Sequence, residues 1–273
     1  MLTVPKIKNF SKDEKLIALT AYDRPSAISA DKAGVDIVLV GDSLSNVILG
    51  NENTTSIGMK EMTYHVAAVS KFVNSSLIVA DLPFGSVQSG LQVASGHACE
   101  LIRCGANAIK IEGGEEVLEL VEHLTKHGVP VMGHVGLTPQ KVEQIGGHLV
   151  QGKTAKESKR IYKEARSLES SGVFSIVLEC VPMQLAKKIT SDTNVPTVGI
   201  GSGPFCNGQI LVFHDLIGWH QGKFKFLKKP FGDVSREINN AISSFSESVK
   251  KGSYPSVDES WSISEDLIED LEQ

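Results

Sequence analysis

The chain has 273 residues, 41% hydrophobic and 22% charged, which is the composition of an ordinary globular protein. Its 32 acidic and 27 basic side chains leave a net charge of -5, which argues against a nucleic-acid surface. No apolar run approaches the ~18 residues of a membrane span, the start MLTVPKIKNFSKDEK lacks the apolar centre of a secretion signal, and Cys99, Cys104, Cys180 and Cys206 fit neither a disulfide framework nor a CxxC site, so a reducing cytoplasm is expected.

Eight short runs follow one another along the chain: KLIALTAYD, DIVLVGD, SLIVADLP, ANAIKIEGG, VPVMGHVG, FSIVLECVP, VPTVGIGSG and GQILVFHD. Each is nearly continuous in apolar residues, as parallel strands covered on both faces are. Helical patterns lie between most of them. Met62, Val66, Val69 and Val73 share one helical face, and Val117, Val121 and Leu124 share another. Thr154, with Glu157 three residues on, forms a capping box opening a helix that Gly172 can close. Gly105, Gly128 and Gly172 each stand just before a strand, where the turn out of a helix wants positive φ. From Gly232 the pattern changes. DVSREINNAISSFSESVKKG predicts a further helix, and the remainder is an acidic tail whose Ile263, Leu267 and Leu271 have the spacing of a short docking helix.

Strands alternating with helices build either a closed barrel or an open doubly wound sheet. A dinucleotide-binding sheet would carry GxGxxG after its first strand, and TAYDRPS does not. The count of eight, without a break between domains, favours the α/β class and a (β/α)8 barrel. The expected organisation is one barrel domain over residues 1–254, with an N-terminal extension and a C-terminal helix, then a tail over 255–273.

In such a barrel the catalytic groups stand at the C-terminal ends of the strands. Those ends carry Asp42, Asp81, Lys110 with Glu112, His134, Glu179, the glycines of GIGSG, and Asp215. One terminal carboxylate is an ordinary turn residue; polar groups on so many strand ends make a site. The strand period of two places Lys110 and Glu112 on one face with Ile109 and Ile111 on the other, and pairs Val177 with Glu179, Val40 with Asp42 and Val79 with Asp81. Carboxylates converging on one mouth repel unless a cation sits among them. Oxygen ligands without a His/Cys cluster suit Mg²⁺, with Asp42 and Asp81 as its partners.

Other residues have plainer readings. His123 and His127 have metal spacing but fall at a helix end, a place histidine favours. Ser43 lies outside any GxSxG elbow, which leaves it a substrate or capping hydroxyl. Cys180 is assigned to packing. Gly199, Gly201 and Gly203 permit close backbone approach to a ligand. Lys223, Lys225, Lys228 and Lys229 form a solvated face.

LVGDSL, VADLPFGS, IKIEGG, PVMGHVGLTPQ, GGHLVQGKT, VLECVP and the stretch from GIGSG to GQILV closely resemble the ketopantoate hydroxymethyltransferase family, in order and in register from about Lys15 to about Tyr254. The resemblance implies a barrel of the phosphoenolpyruvate/pyruvate type, Mg²⁺ dependence and a ring-like homodecamer. It implies transfer of one carbon from 5,10-methylenetetrahydrofolate to 3-methyl-2-oxobutanoate, forming 2-dehydropantoate for pantothenate synthesis. Position by position, Asp42 and Asp81 match the family's metal-binding aspartates, where the keto acid also binds, and Glu112 its further metal-site carboxylate. Ser43 and Lys110 match groups that hold the keto acid, Glu179 matches the proton acceptor, and His134 is left a supporting role. The family usually has Gly at Ser45, Asp at Asn207, a small residue at Ser202 and a tyrosine at Asn51. The rival readings are a Mg²⁺-dependent 2-oxo-acid lyase or phosphonomutase of the same superfamily, and an inactive paralogue kept for binding. The lyase motif KKCGH is absent.

Overall fold

The computed structural model describes residues 1–10, 14–147, 149–219, 227 and 229–269. Eight strands are found among them: β1 (Leu16–Thr20), β2 (Ile37–Val40), β3 (Leu77–Asp81), β4 (Ala108–Glu112), β5 (Val131–Gly136), β6 (Ser175–Glu179), β7 (Thr197–Ile200) and β8 (Gly208–Leu211). Each pairs in parallel with the next, and β1 pairs with β8, Ala18 opposite Ile210, which closes the barrel. The expected (β/α)8 architecture is therefore present.

The helices are α1 (Val4–Lys8), α2 (Arg24–Lys32), α3 (Leu44–Val47), α4 (Met59–Ser70), α5 (Leu91–Arg103), α6 (Leu118–Lys126), α7 (Val142–Ile145), α8 (Ala155–Ser170), α9 (Met183–Asp192), α10 (Phe213–Ile217), α11 (Val234–Lys250) and α12 (Glu265–Glu269). Thr154 caps α8 in the expected box with Glu157, and Gly105, Gly128 and Gly172 all have positive φ. Val73 lies beyond the end of α4, yet it is buried with Met62, Val66 and Val69. The apolar face thus runs one turn past the helix. No described helix is long and apolar enough to cross a membrane.

Alternation along each strand divides the core in two. Val38, Ile78, Ile109, Ile111, Ile176 and Leu178 face the surrounding helices, while Ile37, Leu39, Leu77, Val79, Met132, Val177 and Val198 fill the barrel. The N-terminal extension completes the inner cluster. Ile7 of α1 is fully buried against it, and Leu2, Val4 and Phe10 pack alongside. The backbone N–H of Leu2 donates to the carbonyl of Ser75, just ahead of β3, which fixes this plug at the strand N-termini. Removing Ile7 from water contributes ~1.5–3 kcal/mol.

The far end of the chain stays on the outside. None of the side chains of α11 is buried, and Ile242, Phe245 and Val249 are exposed. In the tail Ile263 and Leu267 are exposed rather than docked. Leu271, with Lys223, Lys225 and Lys228 of the basic run, lies outside the described residues; Lys229 is exposed.

Candidate active site

The strand ends meet at one cavity of about 170 Å³, lined by Asp42, Ser43, Asp81, Lys110, Glu112, His134 and Glu179 on its polar side. Leu39, Val177, Ile200, Ile210 and Val212 add apolar surface to the same lining, Val177 in register with His134 and Ile200 with Glu179. The period-two expectation holds on β3, β4 and β6: Asp81, Lys110, Glu112 and Glu179 point inward, and Ile109 and Ile111 point out.

It fails on β2. Val40 faces the helices with Val38, so Asp42 does not continue its face. The strand ends at Val40 and the chain turns through Gly41, where the backbone N–H of Asp42 donates to Asp81 Oδ2 at 2.9 Å. That turn resets the phase and brings Asp42 over the barrel. Asp215 likewise lines the cavity from α10 and not from a strand end. The glycines of GIGSG are corrected too, since none of them lines the cavity. A Cβ on Gly199 would lie 2.9 Å from Cys206 Sγ, and one on Gly203 would lie 2.5 Å from Met183 Cβ, so these two make room for packing.

Charge dominates the floor. Lys110 Nζ lies 3.1 Å from Asp81 Oδ1 and 3.3 Å from Glu112 Oε1. His134 bridges two strand ends, with Nδ1 3.3 Å from Glu112 Oε1 and Nε2 3.3 Å from Glu179 Oε2. Burial and Lys110 oppose a charged His134, but Glu112 and Glu179 outweigh them and raise its pKa to about 9. Burial would also strip the proton from Lys110; the carboxylates of Asp81, Glu112 and Asp42 reverse this and hold it above the usual lysine range. Glu112, despite its burial, is drawn down to about 2 by Lys110 and His134. Both aspartates shift the other way. Burial, then Glu112 and Asp81, push the Asp42 carboxyl well above its ordinary value, and burial outweighs Lys110 in raising Asp81.

Three buried carboxylates thus share two cationic side chains. Among the described residues, Asp81 Oδ1 is buried without a hydrogen bond, although Lys110 stands in ion-pair range. Crowded carboxyl oxygens that resist ionising until a cation joins them are a donor set for a hard divalent ion. Asp42 and Asp81 offer such an ion a pair of carboxylates, although no group of three or more His, Cys, Asp or Glu side chains among the described residues is gathered closely enough to hold a metal by itself.

Glu179 is placed by its backbone. The N–H of Leu137 donates to the Glu179 carbonyl at 2.8 Å, and Gly136, at φ +99°, passes so close that a Cβ there would lie 2.2 Å from that oxygen. Cys180 follows with φ 54°, the one non-glycine among the described residues in the left-handed region. Burial and Glu179 push its thiol pKa up, in keeping with packing and not chemistry. The rings of His123 and His127 lie 4.4 Å apart, tilted by 33°, and Nδ1 of His127 donates to the His123 carbonyl at the end of α6.

Sequence reasoning missed Gln140. Its side chain is buried beside the site and donates to Asp42 Oδ2 and to the Leu82 carbonyl, both at 2.9 Å. It belongs to the quoted GLTPQ stretch, but nothing in the spacing told where the amide reaches. Ser45 and Asn51, both departures from the family pattern, meet each other: Asn51 Nδ2 donates to Ser45 Oγ at 3.1 Å, and Ser45 Oγ donates to the Asn53 carbonyl at 2.7 Å. Ser202 donates to the Leu178 carbonyl at 2.7 Å, and Asn207 Oδ1 accepts from the backbone N–H of Thr197 at 3.0 Å.

A family model described as ketopantoate hydroxymethyltransferase matches residues 1–257. A 3-methyl-2-oxobutanoate hydroxymethyltransferase of Thermotoga maritima is 47% identical over 260 residues, covering 95% of this chain and 96% of the relative. The enzyme of that name from Ignicoccus hospitalis is 47% identical over 249 residues, covering 91% and 94%, and that of Pyrococcus abyssi 44% identical over 260 residues, covering 95% and 92%. Among solved structures, a phosphonopyruvate hydrolase complex with oxalate and Mg²⁺ has a TM-score of 0.62 at 13% identity over 94% of this chain and 93% of that one. A 2,3-dimethylmalate lyase, titled a member of the PEP mutase/isocitrate lyase superfamily, has a TM-score of 0.59 at 16% identity over 99% and 95%. These structures share the barrel.

Proposed function

The chain belongs to the ketopantoate hydroxymethyltransferase family, and on that premise we propose how its barrel mouth works. It is a hydroxymethyltransferase acting on 3-methyl-2-oxobutanoate and forming 2-dehydropantoate, a step of pantothenate synthesis. The one-carbon donor in this reading is 5,10-methylenetetrahydrofolate. The lyase and phosphonomutase alternative has likeness of fold alone behind it, at 10–16% identity. The inactive-paralogue alternative is disfavoured because every charged position matched to the family is present.

The observation that carries the assignment is the mixed lining of the cavity: acid, base and cation-binding groups share it with Leu39, Val177, Ile200 and Ile210. A branched 2-oxo acid asks for both. Its isopropyl group suits the apolar side chains and its carboxylate the polar ones, where Ser43 and Lys110 hold it.

Asp42 and Asp81, with Glu112, would hold Mg²⁺, which when bound polarises the carbonyl of a chelating 2-oxo acid. Glu179 accepts the proton from C3 of the acid. His134, whose Nε2 is 3.3 Å from Glu179 Oε2, orients that carboxylate. Lys110 Nζ places positive charge where negative charge grows on the keto oxygen, an effect strong in a site closed to water. The carbon nucleophile then bonds to the folate-borne carbon; water supplies the hydroxyl oxygen, both C–N bonds to the folate break, and tetrahydrofolate leaves with protons on its two nitrogens. Residues 1–254 act as the catalytic unit and 255–273 as a tail. Four unpaired cysteines support a cytoplasmic setting, and the exposed apolar face of α11 supports assembly into a homo-oligomer, a decamer by resemblance to the family.

Proton exchange separates the half-reactions. With Mg²⁺ in heavy water and no folate, the protein should exchange the C3 proton of 3-methyl-2-oxobutanoate for deuterium. Adding 5,10-methylenetetrahydrofolate should give 2-dehydropantoate. Glu179→Gln should bind the acid and lose exchange by ~10²–10⁴-fold. Wild-type exchange in that variant would remove Glu179 from the proton step, and no turnover by the unmodified protein would overturn the assignment.

A further inference from the structure

Tyr22 stands directly behind Ser43, fully buried at the exit of β1, with its phenol oxygen 2.7 Å from Ser43 Oγ. Its backbone is pinned on both sides. The Tyr22 N–H donates to Ser26 Oγ at 3.0 Å, and the Tyr22 carbonyl accepts from His65 Nδ1 at 2.6 Å, which fixes the proton of that imidazole on Nδ1. Ser43 is the residue ahead of α3, where a serine hydroxyl normally accepts from the helix N–H groups; here it makes no such bond. The hydroxyl is diverted from capping to the phenol while its residue lines the cavity.

Resting on the substrate reading given above, we propose that Tyr22 is a positioning residue that fixes Ser43 as a hydrogen-bond donor to the carboxylate of the 2-oxo acid. A carboxylate only accepts hydrogen bonds, so Ser43 serves it only if its own proton points into the cavity. The Ser43 lone pair must then take a proton from behind, and Tyr22 is the donor in place. In the 2.7 Å pair either oxygen can donate; an acceptor bound in the cavity takes the Ser43 proton and so assigns the phenol proton to the Tyr22–Ser43 bond. Burial raises the Tyr22 pKa above the ordinary phenol range, so that proton stays in place.

Tyr22→Phe keeps the ring and removes only the donor. It should raise KM for 3-methyl-2-oxobutanoate about three- to tenfold, the worth of one oriented hydrogen bond, with kcat changed less than about twofold. Ser43→Ala should raise KM at least as much. The double variant should be no worse than Ser43→Ala alone, because the phenol acts only through that hydroxyl. A Tyr22→Phe KM equal to wild type, or KM effects that multiply in the double variant, would overturn the inference while the reaction assignment stood. Failure of the unmodified protein to turn over the acid would overturn both.

Discussion

Gln140 donates its side-chain amide to Asp42 Oδ2 at 2.9 Å, although 98 positions separate the two in the chain. The same residue gives its backbone N–H to Glu112 Oε2 at 3.1 Å. The turn after β5 thus ties together carboxylates from the ends of β2 and β4.

Gln140→Leu should therefore loosen Asp42 without adding charge. Residues that orient metal-site carboxylates typically contribute 10–100-fold, so kcat/KM should fall by that amount and respond to added Mg²⁺. A variant whose activity and Mg²⁺ dependence match wild type would show that Asp42 is held by its own turn alone.

Asp42→Asn and Asp81→Asn should leave the barrel folded, since each removes charge from a set in which burial already disfavours ionisation. Both should weaken Mg²⁺ binding measured by calorimetry. Normal titration in both variants would contradict the ligand assignment.

Asp31 accepts from the backbone N–H groups of Asn74, Ser75 and Ser76, at 3.0, 2.9 and 3.0 Å, and so ties the end of α2 to the approach to β3. Burial alone would raise its pKa; the Ser75 hydroxyl and these N–H groups override it and hold the carboxyl far below the usual range. A depressed pKa means stability fully present above the unfolded value, ~3.9, and lost as pH falls below it. Solvent screening at this partly exposed site limits the effect to about 1 kcal/mol, or ~2–4 °C in Tm for a chain of this size. Asp31→Asn should lower Tm by that amount at pH 7, and the gap should close on acidification towards pH 2. A gap unchanged between pH 7 and pH 2 would refute the charge-based account.

Cys180 holds a left-handed backbone, with its N–H donating to the Ile200 carbonyl and its own carbonyl accepting from Gln151, both at 2.9 Å. Such a conformation costs an L-residue ~1–2 kcal/mol. Glycine removes that strain but adds ~0.5–1 kcal/mol of unfolded-state entropy, so Cys180→Gly should be close to neutral in Tm. Cys180→Val should destabilise by about 2 kcal/mol and lower kcat by displacing the neighbouring Glu179. Equal Tm values for the two variants would show that the backbone at this position carries no strain.

What the sequence made legible was local phase. Lys110 with Glu112, and Val177 with Glu179, lie on strands covered on both sides, where a period of two alone decides which side chains face inward. The face of Asp42 could not be read that way, because it depends on a hydrogen bond from its N–H to Asp81, 39 positions away. Gln140 and Tyr22 were invisible for the same reason: each matters through one side-chain atom whose partner is set by the closed barrel. GIGSG misled in the opposite direction. Its glycines look built for a ligand, and two of them make room for Cys206 and Met183 instead.

The plug formed by α1 has a consequence for traffic. Ile7 closes the strand N-termini, so among the described residues the cavity is reached from the strand C-termini. On the reading proposed above, the small acid would take the floor, over Asp42 and Asp81, with the bulkier carbon donor between it and solvent. Entry would then be ordered, acid first and donor second, and departure would run in reverse. Saturating the protein with a folate that carries no transferable carbon should trap the acid beneath it and slow its escape, the behaviour of a blind alley with one parking space behind another.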